Sequence, residues 1–200
     1  MNCIAHKKRR AFTLTETAIV LSIMGLVLGA IWSAMGSVSR EQKITTAQSE
    51  FMTIIQGART MLGAGTPTGF ANGADLTYSL CQTGNTFPAN TTPSGGCGAA
   101  VSVPSIIDPW GGLTTVVATS FLAANAGDAF EIKMTNVDQA GCVGLLSGLG
   151  GQSRDSGLRY LAVGTAYTIG ASTTFPITPA TASGTCGKVN TVIAVFSVQG

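Results

Sequence analysis

The sequence predicts an α+β fold: one long N-terminal helix whose first half spans a membrane and whose second half packs on an antiparallel β-sheet. Three observations predict it. Thr17 to Ser39 is a run of 23 residues without a charge. Apolar residues then keep a helical spacing to Leu62 with no intervening proline. Beyond Gly63 the chain changes to short β-rich runs set between glycine, proline and asparagine.

The uncharged run would measure roughly 34 Å as a helix at about 1.5 Å per residue, enough to cross the hydrocarbon core of a bilayer. Glu16 stands at its entrance, behind the basic cluster Lys7-Lys8-Arg9-Arg10. The basic flank places the N-terminus on the cytoplasmic side. A carboxylate entering the bilayer costs about 2.5–3.5 kcal/mol and needs a positive partner. Gly25 and Gly29 form a G-x-x-x-G pair, and Ser22, Ser33 and Gly36 extend the ridge of small residues, which permits close helix packing.

From Arg40 onward Ile44, Ala47, Phe51, Ile54, Ile55, Ala58, Met61 and Leu62 recur at spacings of three and four. Gln42, Lys43, Glu50, Gln56 and Arg59 mostly take the other faces. Gly63, followed by Gly65 and Pro67, supplies the stop. Residues 63–112 read as a long loop with at most a short strand near Leu76–Leu80, and Asp108-Pro109-Trp110 as a structural turn. Residues 113–200 read as the sheet and a C-terminal disulfide region. Its strands are expected at Leu113–Ser120, Ala129–Thr135, Leu158–Val163, Tyr167–Ile169 and Asn190–Val198, with a short helix over Asp138–Leu149.

The segment Ala11-Phe12-Thr13-Leu14-Thr15-Glu16, set between a basic leader and an apolar helix, resembles the N-terminus of type IV prepilins. Phe12–Leu62 resembles the N-terminal helix of type IV pilins over its whole length. The globular part resembles the type IVb subclass through the widely separated cysteines Cys142 and Cys186 and the element Asp108-Pro109-Trp110-Gly111-Gly112. Similar Pro-Trp-Gly elements occur in type II secretion pseudopilins. The resemblance implies a pilin fold divided into a leader (1–11), a transmembrane and polymerisation half-helix (12–39) and a globular domain (40–200) that begins with the amphipathic half-helix 40–62.

It also implies processing by a prepilin peptidase between Ala11 and Phe12, N-methylation of Phe12, and extraction from the bacterial inner membrane into an extracellular helical filament by an assembly platform and its ATPase. Ala11 stands where the family usually has glycine. Cleavage before Phe12 would create an amino group four residues upstream of Glu16. In a bundle of like helices that amine can meet the Glu16 carboxylate of a neighbouring copy and fix axial register; leaving either partner alone there would cost about 3–5 kcal/mol. The function so implied is a structural filament subunit, a major pilin of type IVb character. The alternatives are a minor pilin or pseudopilin, and a membrane-anchored exported domain. The partners implied are further copies of the chain, the peptidase, the assembly machinery and, before assembly, membrane lipid.

Composition bears on what else the chain could do. Its 200 residues suit one domain with a modest core. The formal charge is +2, but removal of the leader leaves seven basic and nine acidic side chains, a net −2 with no basic face for nucleic acid. His6, the one histidine, falls in the leader. Ser-His-Asp and Cys-His catalysis and histidine-based metal sites are thereby excluded from the remainder, and no enzyme, cofactor or metal site is expected. Of five cysteines, Cys3 lies in the leader; Cys81, Cys97, Cys142 and Cys186 remain. An even number behind an export signal reads as two disulfides formed in an oxidising compartment. Four cysteines allow three pairings, and nearness in sequence favours Cys81–Cys97 and Cys142–Cys186.

Overall fold

The computed structural model describes residues 13–63, 71–82, 106–121 and 127–199. The leader 1–11, Phe12 and Cys97 lie outside these residues. The chain divides into two compact units after Ser39.

Helix α1 runs over Leu14–Gly63, 50 residues, and stops at the glycine expected to end it. Up to Ser39 none of its described residues is buried. Within the second unit its character changes. Ala47, Phe51, Ile54, Ile55, Ala58 and Leu62 are buried at the three-and-four spacing read from the sequence. Burial of each large apolar side chain contributes about 1.5–3 kcal/mol.

These side chains share a core with one face of a five-stranded sheet. The strands are β1 (Ile106–Ile107), β2 (Leu113–Thr119), β3 (Ala129–Asp138), β4 (Leu158–Val163) and β5 (Val189–Ser197). Their spatial order is β1-β2-β3-β5-β4, so the last strand inserts between β3 and β4. All neighbours are antiparallel. The register follows the side-chain alternation: Val116 lies opposite Ile132, and Ile132 opposite Ala194, all on the core face. Phe130 faces Phe196 across the β3–β5 ladder, and their rings stack at 5.7 Å between centroids. On the other face the described residues form a smaller apolar cluster of Ala129, Ile193 and Val195, with Phe121, Tyr160 and Tyr167 packed over them.

Strand β3 runs past the expected end at Thr135. Asn136 takes a left-handed conformation (φ 59°), which forms a bulge between Met134 and Val137, and pairing resumes at Val137–Asn190. Asparagine tolerates that conformation better than most residues.

Helix α3 (Gln139–Leu149) begins where expected, with Asp138 as its N-cap accepting the Gly141 N–H at 2.7 Å. Its glycines, unfavourable for a helix in isolation, are close-approach positions. A Cβ on Gly144 would come within 2.8 Å of Ile44 Cδ1, and one on Gly141 would enter the Trp110 ring. Tertiary contact with α1 and with the β1–β2 turn thus overrides helix propensity.

Four expectations are corrected. Glu50 does not take an outer face; it lies within the buried stripe of α1 at 0% exposure. The expected strand near Leu76–Leu80 is instead helix α2 (Thr77–Gln82). The Asp75 carboxylate accepts the Thr77 N–H at 2.8 Å and opens a helical turn, which buries Leu76 and Leu80 together. The stretch read as loop also holds β1 and an edge segment, in which the Leu76 N–H reaches Val116 O and the Ala118 N–H reaches Ala74 O. Tyr167–Ile169 is not a strand; Tyr167 packs on Tyr160 with 5.1 Å between ring centroids, and Gly170, at φ 85°, turns the chain. One further helix, α4 (Pro179–Thr185), starts from Thr178 as N-cap with proline in its first turn.

Candidate functional site

The chemistry of the first unit is that of a surface in need of an apolar environment. Large side chains project from α1 on every side: Leu14, Leu21, Leu26, Trp32 and Met35 are 64–86% exposed. A helix apolar all round is stable only inside lipid or among other apolar helices. Among the described residues α1 is the one helix long and apolar enough to cross a membrane.

Glu16 occupies the first turn of this helix. It closes a capping box with Thr13. The Thr13 N–H donates to Glu16 Oε2 at 3.0 Å, and the Glu16 N–H donates to the Thr13 hydroxyl oxygen at 3.4 Å. The Thr13 hydroxyl donates to the same Oε2 at 3.0 Å. These bonds satisfy backbone donors that otherwise lack a partner at a helix start. The two bonds to the carboxylate both fall on Oε2. The helix dipole adds to this by favouring negative charge at the N-terminal turn. The sequence carries the S/T-x-x-E signature of this box as Thr13-Leu14-Thr15-Glu16, and it gives Thr13 a capping role that the motif reading does not assign.

Gly25 and Gly29 lie one turn apart on the exposed helix, and a Cβ built at either meets nothing within 4 Å. Intramolecular packing therefore gives no reason for glycine at these positions. Ala11 and Phe12 are outside the described residues.

In the globular unit Cys142 and Cys186 are bonded, with Cα atoms 6.0 Å apart. Cys142 is in the first turn of α3 and Cys186 is the C-cap of α4, so the bond ties the two helices together. The Gln139 side-chain amide adds a bond to the Cys186 carbonyl at 3.3 Å. Cys81, on α2, is also disulfide-bonded. Among the described residues no group of three or more His, Cys, Asp or Glu side chains is placed to hold a metal.

Two known protein families match the chain. The family described as "PilS N terminal" matches residues 41–197, and the "Prokaryotic N-terminal methylation motif" matches residues 6–32. Among solved structures, the crystal structure of a type IV b pilin from Salmonella typhi is 22% identical, with a TM-score of 0.54 over 80% of this chain and 99% of that one. An NMR structure of the type IVb pilin PilS from Salmonella typhi is 23% identical, with a TM-score of 0.50 over 76% and 95% of the two chains. These likenesses show a shared fold, a long N-terminal helix with an antiparallel sheet. No curated protein matches the chain.

Proposed function

The chain belongs to the PilS family of type IV pilins, which are structural proteins and not enzymes, and on that premise we propose that it is the repeating, type IVb-like subunit of an extracellular filament. The observation that carries the reading is the first half of α1: an uncharged helix, exposed and apolar all round, entered through a single carboxylate. Before assembly lipid covers that surface; in the filament the same helices of neighbouring copies cover it. The mechanism is a transfer of one apolar helix between two apolar environments.

In this reading a prepilin peptidase cuts between Ala11 and Phe12, and Phe12 is N-methylated. The new amine pairs with the Glu16 carboxylate of a neighbouring copy. Thr13 holds the acid at the helix end through Oε2. The pair sets how far each helix slides along the next, since any other register leaves a charge buried without its counterion. Gly25 and Gly29 give the neighbouring backbone a close approach. An assembly platform and its ATPase supply the work of extraction.

The test is Glu16→Gln in cells that produce the filament. Glutamine keeps an acceptor for the capping box and removes the charge. The expected result is a processed subunit that accumulates in the membrane, with filaments absent or sharply reduced in sheared material viewed by electron microscopy. Wild-type filament yield from Glu16→Gln would rule out the register role.

A further inference from the structure

Four buried polar atoms from three side chains of one neighbourhood lack a hydrogen-bond partner. Both carboxylate oxygens of Glu50, Asp108 Oδ2 and the Thr114 hydroxyl are orphaned. The side chains are 0%, 3% and 1% exposed. Glu50 projects from α1, whereas Asp108 and Thr114 belong to the β1–β2 hairpin, in which Thr114 pairs with Ile106. Asp108 has a defined task with its other oxygen: Oδ1 accepts the N–H groups of Trp110 at 2.8 Å and Gly112 at 2.9 Å and holds the turn. Its Oδ2 is left over. Buried polar atoms are nearly always satisfied, so orphans grouped in this way point to a particle that completes them.

The electrostatics say which particle fits. Burial pushes the Glu50 carboxyl up to about 7; the Thr114 hydroxyl beside it opposes the rise, and the charge of Asp108 adds to it. Burial raises the Asp108 carboxyl as well, but the N–H groups of Gly112, Trp110 and Gly111 and the positive charge of Lys43 hold it back. Of two carboxyls that cannot comfortably ionise together, Asp108 is the better stabilised as an anion, and Glu50 takes the proton. A protonated Glu50 becomes a donor as well as an acceptor and can give its O–H to the Thr114 oxygen or to Asp108 Oδ2.

We propose that Glu50, Thr114 and Asp108 form a proton-operated latch between α1 and the β1–β2 hairpin, closed while Glu50 carries its proton and released when Glu50 ionises. The helix that enters the filament core is then gripped most firmly by its own globular domain in acidic surroundings. The sign follows from linkage. The folded chain keeps a proton on Glu50 that the unfolded chain has already released, so stability is highest below the ordinary carboxylate range and falls as pH rises through about 7. Above that value a buried Glu50 anion faces the Asp108 anion.

The experiment follows thermal unfolding of the full chain in detergent micelles between about pH 5.5 and pH 8.5, for wild type and Glu50→Gln. Glutamine has the shape and charge of the neutral acid. The expected result is a wild-type midpoint that falls by several degrees through neutrality and a Glu50→Gln midpoint that stays level and is the higher of the two in alkali. Asp108→Asn should move the wild-type fall to lower pH, because the charge that raises Glu50 is gone. Equal pH slopes for wild type and Glu50→Gln would overturn the latch and place the titration elsewhere, with half-buried Glu131, also raised by burial, the next group to test. A midpoint in alkali raised by calcium chloride in wild type, and not in Glu50→Gln, would also overturn it, by showing that a metal cation and not a proton completes the site. If Glu50→Gln does not fold, infrared titration of the wild-type chain decides: a protonated-carboxyl band lost through about pH 7 supports the latch, and its absence in acid overturns it.

Discussion

Arg59 and Asp155 meet in a two-pronged ion pair that fastens the last turns of α1 to the loop leading into β4. Nη1 donates to Oδ2 at 3.0 Å and Nη2 to Oδ1 at 2.6 Å. Oδ1 also accepts the Gly157 N–H at 2.7 Å, so the same carboxylate shapes the turn. Both side chains are about one-quarter exposed, which limits screening by water without abolishing it.

The pair predicts a pH-dependent contribution of the opposite sign to that of Glu50. The Arg59 hydrogen bonds, against a smaller desolvation effect, hold the Asp155 carboxyl below its usual range. Its stabilising contribution is present above the ordinary value of 3.8 and is lost as pH falls below it. Asp155→Asn should lower stability near neutrality by about 1–2 kcal/mol and make no difference in strong acid. Denaturant unfolding of wild type and variant at the two pH values checks this.

The Cys142–Cys186 bond spans 44 positions that hold α3, β4 and α4. The double variant Cys142→Ser, Cys186→Ser should lose about 2–4 kcal/mol, with α4 the first element to open. Hydrogen exchange compared between wild type and variant at the backbone amides of positions 182 and 186, which in wild type donate to Thr178 O and Ala182 O, measures it. The variant is preferred to a reducing agent, because Cys81 is disulfide-bonded too.

Glycines in the two units should respond differently to alanine. Gly144→Ala drives a methyl group into Ile44, and Gly141→Ala drives one into Trp110. Each should destabilise the domain by about 1–3 kcal/mol. Gly25→Ala and Gly29→Ala meet open space and should leave the thermal midpoint of the single chain unchanged. Larger residues at those two positions should reduce filament yield. A fall in filament yield without a fall in midpoint separates packing between copies from packing within one.

Thr13→Val should remove the hydroxyl that accepts the Glu16 N–H and fray the first turn of α1, at a cost of about 1 kcal/mol. Amide exchange of Glu16 and Thr17 in micelles reads the fraying. Glu16→Gln should leave those amides protected and still fail in assembly, which distinguishes capping from pairing between copies.

The long helix was legible because its two signals are strong: absence of charge over Thr17–Ser39 and apolar spacing through Leu62. Strands β2 and β3 were legible for a similar reason, since one face of each is buried in a period of two, whereas β5 shows as a continuous apolar run, Val192–Phe196, buried on both faces. Strand β1, two residues long, is too short to show alternation and is held by pairing to β2. Helix α4 did carry a signal, Thr178 before Pro179, but its composition of small residues has no apolar period. The burial of Glu50 was not legible, because a polar residue inside an apolar stripe is assigned to solvent unless its buried partners, Asp108 and Thr114, are known. They lie about sixty positions away in sequence. The Thr13–Glu16 box is legible as well, as the signature T-x-x-E directly before an apolar run.

The most direct test of the central claim, that this pilin assembles through a processed N-terminal helix, is the intact mass and N-terminal sequence of the chain recovered from sheared, washed cell-surface filaments. The account predicts a product that begins at methylated Phe12 and lacks the four thiol hydrogens of Cys81, Cys97, Cys142 and Cys186. A full-length chain that still carries residues 1–11 and is confined to the membrane would contradict it.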